Sequence, residues 1–488
     1  MTSTVDSAAA LAAAVQRVRT GPQGPSVGAF FDFDGTLVHG FTGVHFFRKL
    51  WRRGLSRREL AATLLDGIRG EKTEADVRRF SVRALRAWGG HTERELDEIG
   101  AQLFEAKIAG HLYPEAWQLV QAHERAGHTV VIASSASRFQ VEPAAAELGV
   151  AHVLCTAMEV SDGVLTGRVA GPMRWGEGKA AAVRTFAAAH QVDLARSYGY
   201  SNGGEDVPLL SLVGVPVAVN PDHRLEPVAA AEGWPTLRFR PRPQPGPIRL
   251  ARTVFGLTAL VACAVAGALS GAPARNRMVA RLMRWGSTAA LRTTGVRVRV
   301  TGQRHAAAPR PAVFVFNHQS NFDPFVLAYV LGRAGEHAGG WNPVTGIAKR
   351  ELVRNPVFGP LFRFAGVTFI DRGDTANAIA AMQPVVDTLR AGTSIAIAPE
   401  GHRSLSPRLL PFKKGAFHLA IQAGVPIVPV VVRNGGEIMW RNAIAVTPGT
   451  VDVAVLDPVD VSAWNPADMD ADIERVRARM ADTIANWP

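Results

Sequence analysis

With 488 residues, the chain is too long for one hydrophobic core and fits two domains of about 200 residues each. Its 47% hydrophobic and 20% charged residues exclude a disordered protein. The net charge of +12 favours anionic partners. Because no zinc-ligand spacing and no basic run interleaved with aromatic residues accompanies this charge, we expect an anionic lipid surface as partner and no nucleic acid.

Residues 1–24 are rich in alanine, and we interpret them as an N-terminal tail or a short helix. An acidic residue stands early and no basic residue precedes the apolar stretch, so we expect no secretory signal. Cys155 and Cys263 lie in separate halves of the chain and predict neither a disulfide framework nor a metal site, which fits a reducing compartment.

Residues 25–240 alternate short apolar runs with helical stretches, which predicts an α/β domain with a parallel sheet. The runs predicted as buried strands are VGAFFDF, HTVVIAS, SYGYS and PVAVN, and EGKAAAVRTFAAAHQ is predicted as a helix. Mostly helical, arginine-rich sequence interrupts the alternation at residues 41–112 and indicates an inserted helical cap.

The first of these strands ends in FFDFDGTL, which carries Asp32 and Asp34. Side chains alternate along a strand, so the two carboxylates share one direction. The carboxyl ends of parallel strands are where open α/β sheets bind ligands. Two carboxylates at such a place can hold Mg²⁺, and one can attack phosphorus. An isolated Asp-x-Asp is also compatible with solvated acids at the end of a strand.

Three further elements follow this motif in a fixed order. Ser135 follows the strand TVVIAS in a predicted turn, Lys179 stands in WGEGKAA at a predicted helix start, and Asp206 stands in SNGGEDVPLL after another strand. Together with the Asp-x-Asp, this order resembles the haloacid dehalogenase-like phosphatases, especially their phosphoserine-phosphatase-like branch. The resemblance covers about residues 26–225 and implies a Rossmann-like domain with a helical cap.

The resemblance also implies a role for each motif residue. Asp32 would be the nucleophile that forms an aspartyl-phosphate, and Asp34 the general acid and then the base for water. Ser135 and Lys179 would hold the phosphoryl oxygens. Mg²⁺ would be bound by Asp32, by Asp34 and by the fourth motif.

That fourth motif departs from the family pattern. Its usual Gly-Asp pair is Ser201-Asn202 in this chain. An Asn oxygen can still bind Mg²⁺, but it is neutral and therefore a weaker ligand, and Asp206 could compensate as a further metal ligand. A degenerate, regulatory phosphatase-like domain is the alternative that this position keeps open.

The basic, proline-rich segment RFRPRPQPGPIR predicts a domain boundary, and we interpret residues 241–295 as a linker followed by membrane-associated helices. Residues 253–274 carry no formal charge and are long enough to span a bilayer, although a buried core helix would have the same pattern. Beyond them, a basic stripe runs beside an apolar one, as on an interfacial helix or an ordinary amphipathic surface helix. The stripes consist of Arg277, Arg281 and Arg284, and of Met278, Leu282 and Trp285.

Arginines flank the charge-free segment on both sides, so the positive-inside rule predicts no orientation. A single crossing would place the two halves of the chain on opposite faces of the membrane. We therefore expect a monotopic arrangement that leaves both halves at the cytoplasmic face of the membrane.

Residues 296–488 predict a second α/β domain, with strands at RVRVTG, AVFVFN, GVTFID, SIAIAP and VPIVPVVV. His318 and Asp323 stand in FNHQSNFDP, after the second of these strands. On one continuous helix, five positions would separate their side chains by about 140°. Because Pro324 favours a helix that starts at Asp323, we expect His318 to lie in the preceding loop and to fold back onto Asp323.

A carboxylate on one imidazole nitrogen leaves the other nitrogen free as a base. Chance can produce a single His-x4-Asp, so the accompanying motifs decide. GVTFIDR ends in Arg372, APEGHRS contains Glu400, Gly401 and Arg403, FKKGAF contains Lys413 and Lys414, and VPIVPVVV contains Pro429. In this order the motifs resemble the glycerolipid acyltransferases of the 1-acylglycerol-3-phosphate acyltransferase type, over about residues 250–455. Ala398 and His402 differ from the usual FPEGTRS.

By this resemblance, His318 would deprotonate the hydroxyl of a lysophospholipid acceptor, which then attacks the thioester of acyl-CoA or acyl-carrier protein, while Asp323 orients the imidazole. Arg372 and Arg403 would clamp the acceptor phosphate, because a guanidinium matches phosphate bidentately. Glu400 and Gly401 would shape acceptor binding. Lys413 and Lys414 would meet donor phosphates or lipid headgroups, or form a solvated surface pair.

The sequence therefore predicts a bifunctional phospholipid-biosynthesis enzyme, an acyltransferase joined to a phosphomonoesterase. The alternatives are an acyltransferase for another lysophospholipid or glycolipid with a degenerate phosphatase-like domain, and a membrane scaffold. The sequence leaves the oligomeric state open.

Overall fold

The structure is a computed structural model that describes residues 4–50, 88–243, 245–269, 275–307, 310–337, 344–354, 358–370 and 378–488. The chain divides into two compact units, Met1–Arg242 and Pro243–Pro488, which we call unit 1 and unit 2. Much of the predicted cap, residues 51–87, and the predicted phosphate ligand Arg372 lie outside the described residues.

Unit 1 is built on a parallel six-stranded sheet. Its strands in chain order are β1 (Gly28–Phe31), β2 (Thr129–Ser137), β3 (His152–Thr156), β4 (Met158–Ser161), β5 (Val164–Val169), β6 (Tyr198–Ser201), β7 (Val215–Val219) and β8 (Thr236–Leu237). The sheet order is β3-β2-β1-β6-β7-β8, and β4 and β5 form a separate antiparallel hairpin. The described helices are Thr4–Thr20, Gly43–Leu50, Glu93–Leu103, Pro114–Arg125, Arg138–Leu148, Glu177–Ala189, Val207–Leu210 and Leu225–Ala231.

Both faces of this sheet are covered, which explains why its strands are apolar throughout. On one face, Phe30 packs in a buried cluster with Val183 and Phe186 of helix Glu177–Ala189. On the other face, the ring of Phe31 stacks on Tyr200 with centroids 4.5 Å apart. The central strand β1 is thereby fixed between two cores, and the residues that follow it leave the sheet at its carboxyl edge.

Unit 2 contains a mixed seven-stranded sheet. Its strands are β9 (Val296–Thr301), β10 (Val313–Phe316), β11 (Val344–Lys349), β12 (Thr368–Ile370), β13 (Ser394–Ile397), β14 (Ile427–Arg433) and β15 (Gly449–Val455). Their order is β12-β11-β13-β10-β14-β15-β9, and every neighbouring pair is parallel except β14 with β15. The described helices are Pro247–Leu269, Arg275–Thr294, Gln303–Ala307, Asp323–His337, Phe358–Phe364, Ala378–Arg390, Gly415–Ala423, Gly435–Ile438 and Asp470–Ala485.

Alternate residues of β10 again face two different cores. Val313 and Val315 belong to one buried cluster, whereas Phe314 and Phe316 belong to the other. The prediction of two α/β domains is thus confirmed, and each segment predicted as a buried strand contains one.

The segment between the two predicted domains forms helices Pro247–Leu269 and Arg275–Thr294, which pack against each other. Leu260 and Leu291 join the core of unit 2, while Phe255 on the first helix is 65% exposed. The first helix is therefore buried on one side, against the core of unit 2, and exposed on another. Among the described helices, none combines the length and hydropathy that crossing a membrane requires.

Candidate active sites

The predicted phosphoryl-transfer residues gather at the carboxyl edge of the unit 1 sheet. Asp32 follows β1 directly, and its N–H donates to the Tyr200 carbonyl oxygen of β6 at 2.9 Å. Ser135 lies near the carboxyl end of β2, the strand on the other side of β1. The sequence placed Ser135 in a turn after this strand; the structure continues β2 to Ser137, with a shift of register against β3.

Lys179 provides the positive charge of this site. Its Nζ donates to Asp32 Oδ1 at 2.8 Å and to Asp206 Oδ2 at 2.6 Å, and the residue is only 2% exposed. Burial acts to lower the pKa of Lys179, but the Asp206 and Asp32 carboxylates raise it above its ordinary value, so the ammonium stays charged. For Asp32, burial raises the pKa while Lys179 opposes the rise.

Asp34 stands in a different environment from Asp32. Burial raises the pKa of Asp34 to about 7, although the N–H of Thr42 donates to its Oδ1 at 3.0 Å. At neutral pH a substantial fraction of this carboxyl is protonated. It can therefore deliver a proton to a leaving oxygen, which matches the role that the sequence resemblance implies.

The Asn202 side chain closes the cluster. One terminal atom of its amide lies 3.0 Å from the Asp34 carbonyl oxygen and 3.2 Å from both Asp32 Oδ2 and Thr36 Oγ1. If the NH₂ group takes this place, it donates to all three oxygens. If the amide oxygen takes it, the oxygens face one another, and a cation among them would offset their repulsion.

The oxygen atoms of this cluster fit a magnesium ion. Because Asn202 is neutral, the cluster offers one charged ligand fewer than it would with a carboxylate at that position. Asp32, the Asp34 carbonyl and Asn202 converge, and oxygen is the ligand atom that Mg²⁺ prefers. Within the part of the chain that the structure describes, no group of three or more His, Cys, Asp or Glu side chains is placed to hold a metal. Asp206 uses Oδ2 for Lys179 and Ser201, and its buried Oδ1 has no hydrogen-bond partner among the described residues.

The predicted acyl-transfer dyad is formed in unit 2. His318 Nδ1 lies 2.8 Å from Asp323 Oδ2, and the N–H groups of Gln319 and Ser320 donate to the same oxygen at 2.8 Å. Asp323 is the first residue of helix Asp323–His337 and is fully buried. The predicted geometry, with His318 in the loop before the helix and folded back onto Asp323, is confirmed. The contact orients the ring and leaves Nε2 as the base.

Glu400 holds the backbone of this loop. Its Oε1 accepts the N–H of His318 at 2.7 Å, its Oε2 accepts the N–H of Leu410 at 2.9 Å, and the residue is 1% exposed. Burial raises the pKa of Glu400 to about 7, although both N–H groups oppose the rise. The N–H of Ser404 donates to the His318 carbonyl at 2.8 Å. Glu400 therefore positions the loop that contains His318. The sequence predicted a role of Glu400 in acceptor binding but did not predict these backbone contacts.

Two arginines lie together at the edge of the dyad. Arg403 Nη1 donates to the Arg441 carbonyl at 2.6 Å and to Asn321 Oδ1, and Arg441 Nη1 donates to the Arg403 carbonyl at 3.2 Å. Burial lowers the pKa of Arg403, and the nearby charge of Arg441 lowers it further. Arg441 was not among the predicted residues, because it follows the last recognised motif without a pattern of its own.

The glycines of unit 2 mark two close approaches. Gly401 has φ +80°, a left-handed conformation that side chains rarely adopt, and a Cβ there would lie 3.0 Å from Lys413 Cε. A Cβ on Gly435 would lie 2.7 Å from Asp323 Oδ1.

The two predicted lysines have different surroundings. Lys413 lies beside Gly401, whereas Lys414 Nζ forms an exposed ion pair with Asp470 at 2.8 Å.

Comparisons with known proteins agree with this division of the chain. The model of the haloacid dehalogenase-like hydrolases matches residues 29–211, and the model named Acyltransferase matches residues 297–433. Phosphoserine phosphatase SerB1 of Mycobacterium tuberculosis is 36% identical over 243 residues, which are 49% of this chain and 79% of that protein. The inhibition of morphological differentiation protein of Streptomyces azureus is 36% identical over 258 residues, covering 50% of this chain and 90% of that protein.

The second half has relatives of a different kind. The human 1-acyl-sn-glycerol-3-phosphate acyltransferase alpha is 40% identical over 188 residues, which are 38% of this chain. The chain spans 63% of the length of that enzyme. Hydrolase relatives and acyltransferase relatives thus cover different parts of one chain.

Proposed function

We propose two activities for this chain, which belongs through its N-terminal half to the haloacid dehalogenase-like hydrolases and carries an acyltransferase domain in its C-terminal half. The first activity is acyl transfer from acyl-CoA or acyl-carrier protein to the free hydroxyl of 1-acylglycerol-3-phosphate, giving phosphatidic acid. The second is Mg²⁺-dependent hydrolysis of a phosphomonoester. The His318–Asp323 contact of 2.8 Å, held by buried Glu400, carries the first proposal.

In acyl transfer, His318 Nε2 takes the proton of the acceptor hydroxyl as its oxygen attacks the thioester carbonyl. The buried Asp323 carboxylate stabilises the imidazolium that forms. The proton then leaves with the thiol of the departing carrier. Arg403 is available to the acceptor phosphate, because its guanidinium is only half-buried and makes no ion pair among the described residues.

In phosphoryl transfer, the Asp32 carboxylate attacks phosphorus and the protonated Asp34 gives its proton to the departing alcohol oxygen. Water then attacks the aspartyl-phosphate while Asp34 takes a proton back. Lys179 neutralises negative charge beside Asp32 throughout. Asp32, the Asp34 carbonyl and Asn202 would hold Mg²⁺, which when bound supplies further positive charge for the phosphoryl oxygens.

We also propose that unit 2 associates with the cytoplasmic face of an anionic membrane without crossing it. The support is the exposed apolar surface on helix Pro247–Leu269, where Val254 is 54%, Phe255 65% and Val265 52% exposed, and on the next helix, where Trp285 is 57% exposed. Flotation with vesicles tests it. Binding that requires anionic lipid, weakens with salt and falls in a Phe255→Ser/Trp285→Ser variant supports the proposal, and binding unchanged in that variant contradicts it.

The decisive experiment supplies acyl-CoA and 1-acylglycerol-3-phosphate to the full-length protein and measures acylated lipid and free phosphate separately. His318→Ala is expected to abolish acylation and leave phosphate release intact, whereas Asp32→Asn is expected to do the reverse. Each variant is thus the control for the other. Near-normal acylation by His318→Ala would refute the proposed base, and phosphate release by Asp32→Asn would refute the proposed nucleophile.

A regulatory hydrolase half without turnover is the second candidate, and Asn202 is the observation that favours it. An Asn202→Asp variant adds the missing carboxylate, so Mg²⁺ should raise its thermal unfolding temperature more than that of the wild type. If only the variant binds Mg²⁺ and releases phosphate, the hydrolase half of the wild type is regulatory and has no turnover. If the wild type already does both, the phosphatase proposal stands.

A further inference from the structure

The segment after β14 contains no recognised motif and contacts the loop of the dyad. This segment, residues 439–446, is bonded to the catalytic loop at two points. Ser320 Oγ donates to the Met439 carbonyl at 2.8 Å, and Asn321 Nδ2 donates to the Arg441 carbonyl at 3.1 Å. Because Ser320 and Asn321 lie between His318 and Asp323, the segment and the dyad form one connected structure.

Within that structure the guanidinium groups of two arginines each reach the backbone of the other residue. Each donates to the other's backbone carbonyl, Arg403 at 2.6 Å and Arg441 at 3.2 Å. Burial lowers the pKa of Arg403, and the like charge of Arg441 lowers it further. An anion that contacts both guanidinium groups would offset the repulsion between their charges.

We propose that Arg441 binds the phosphate of the acyl acceptor together with Arg403, and so determines the preference for phosphorylated over neutral acceptors. The proposal rests on the acyl-transfer function proposed above. A phosphomonoester carries about −1.5 to −2 charges at pH 7, so the charge of Arg441 adds to that of Arg403 in attracting it. Each planar guanidinium also offers paired donors that match phosphate oxygens.

The surroundings of the segment suit a lipid acceptor. Ile444 is 63% exposed, and the N–H of Val446 donates to Thr253 Oγ1 on helix Pro247–Leu269 at 2.9 Å. The same short segment therefore connects the loop of the dyad, through Arg441, with helix Pro247–Leu269, through Val446, and exposes an apolar side chain between the two contacts. A headgroup at Arg441 leaves its acyl chain on the apolar side.

The test uses the full-length protein with Asp32→Asn, which prevents hydrolysis of the lipid phosphate, and compares Arg441→Gln with Arg441→Lys. Arg441→Gln keeps the backbone carbonyl that Arg403 and Asn321 bind, so the catalytic loop retains these contacts. We expect the KM for 1-acylglycerol-3-phosphate to rise about tenfold to a hundredfold, as for loss of a hydrogen bond between charged groups. The KM for acyl-CoA should stay unchanged, and Arg441→Lys should recover part of the loss.

The matched control is Arg390→Gln, which removes the same charge from the exposed end of helix Ala378–Arg390 and should change neither KM. Acylation of 1-acylglycerol, which lacks phosphate, should be equally slow in wild type and Arg441→Gln. An unchanged acceptor KM, an equal rise in both KM values or a rise for acyl-CoA alone would each refute the role.

If the wild type transfers no acyl chain, the proposed function fails and binding decides about Arg441. Calorimetric titration with 1-acylglycerol-3-phosphate then compares wild type with Arg441→Gln in the same Asp32→Asn background. The hydrolase half is identical in both proteins, so a weaker affinity in the variant reports the Arg441 site alone and supports it. Equal affinities would overturn it.

Discussion

The two candidate sites both lie at the carboxyl end of a parallel strand, but the charge that is buried at each site has the opposite sign. At the end of β1, Lys179 is almost completely buried between two carboxylates. At the end of β10, the positive charges stay half-buried at the rim, and the buried charge is the Asp323 carboxylate. A site that must bring an anionic nucleophile to an anionic phosphate needs a fixed cation, whereas a site that uses a neutral imidazole base needs a fixed anion behind it.

Each site also contains a carboxyl whose pKa burial raises to about 7, and the two serve different purposes. In the proposed mechanism Asp34 exchanges a proton with substrate, while both oxygens of Glu400 accept backbone N–H groups. A raised pKa therefore does not by itself identify a catalytic acid. The partners of the carboxyl oxygens decide between catalysis and positioning.

The largest expected effect removes the buried anion. Asp323→Asn should lower kcat for acyl transfer about 10³- to 10⁴-fold, because the amide no longer fixes the imidazole tautomer or stabilises the imidazolium. Steady-state acylation assays measure this, with phosphate release as the internal control. Asp387→Asn, on an exposed helix position of the same unit, should be neutral. A rate within tenfold of wild type would mean that Asp323 is structural only.

The next largest effect is expected when the buried cation, Lys179, is removed. Lys179→Met leaves Asp32 and Asp206 buried without compensation and should reduce the free energy of unfolding of unit 1 by about 3–5 kcal/mol. Hydrogen exchange of β1 and β6 peptides in the full-length protein measures the loss. Arg184→Met removes a cation 46% exposed, paired with Glu177 at 2.6 Å on the same helix, and should cost less than about 1 kcal/mol. Equal losses would contradict the contrast between buried and exposed pairs.

A smaller effect tests how closely the dyad is packed. The Cβ of Gly435→Ala would lie 2.7 Å from Asp323 Oδ1, so Asp323 or the chain must shift and acyl transfer should fall about tenfold. Gly436→Ala is the matched control, because its Cβ meets the Gln319 side chain at an ordinary 3.8 Å. Acylation rates of the two variants give the comparison. Similar rates would show that the Gly435 contact does not constrain Asp323.

The smallest effect is a pH dependence of the hydrolase site. Because the folded pKa of Asp34 lies near 7, above its ordinary 3.8, the protonated acid is present below pH 7. Phosphate release should therefore fall about tenfold per unit above pH 7. The same protonation stabilises the fold at low pH, and this contribution is lost as the pH rises through 7. A pH–rate profile in which Asp34→Asn retains the same alkaline limb would exclude Asp34 as the acid.

Local sequence determined the strands that carry the motifs and the motif residues that follow them, whereas β3, β11 and β15 were not predicted. A strand buried on both faces is apolar along its whole length, which is why the β1 and β10 segments could be recognised without a partner. The turn at Asp323-Pro324 was also a local property, so the approach of His318 to Asp323 followed from residues only five positions apart.

Other parts of the sites depend on segments distant in sequence. Glu400 reaches the His318 backbone, and Gly435 reaches Asp323, only because β13, β10 and β14 are neighbours in the sheet. Neither a hydrophobic periodicity nor a sequence motif predicts a contact of this kind. Sequence identified Asn202 as a departure from its family, but only the fold placed its amide against Asp32 and Asp34.

By itself, then, the amino-acid sequence determined two α/β domains, the order of their motifs and the chemical groups at each strand end. Tertiary structure decided which of those groups pair with one another and which hold the backbone. It also placed Arg441 beside Arg403 and buried Lys179 between two carboxylates. The physical reason is that side-chain type and strand periodicity act locally, whereas burial, charge pairing and close packing depend on which distant segments the sheet brings together.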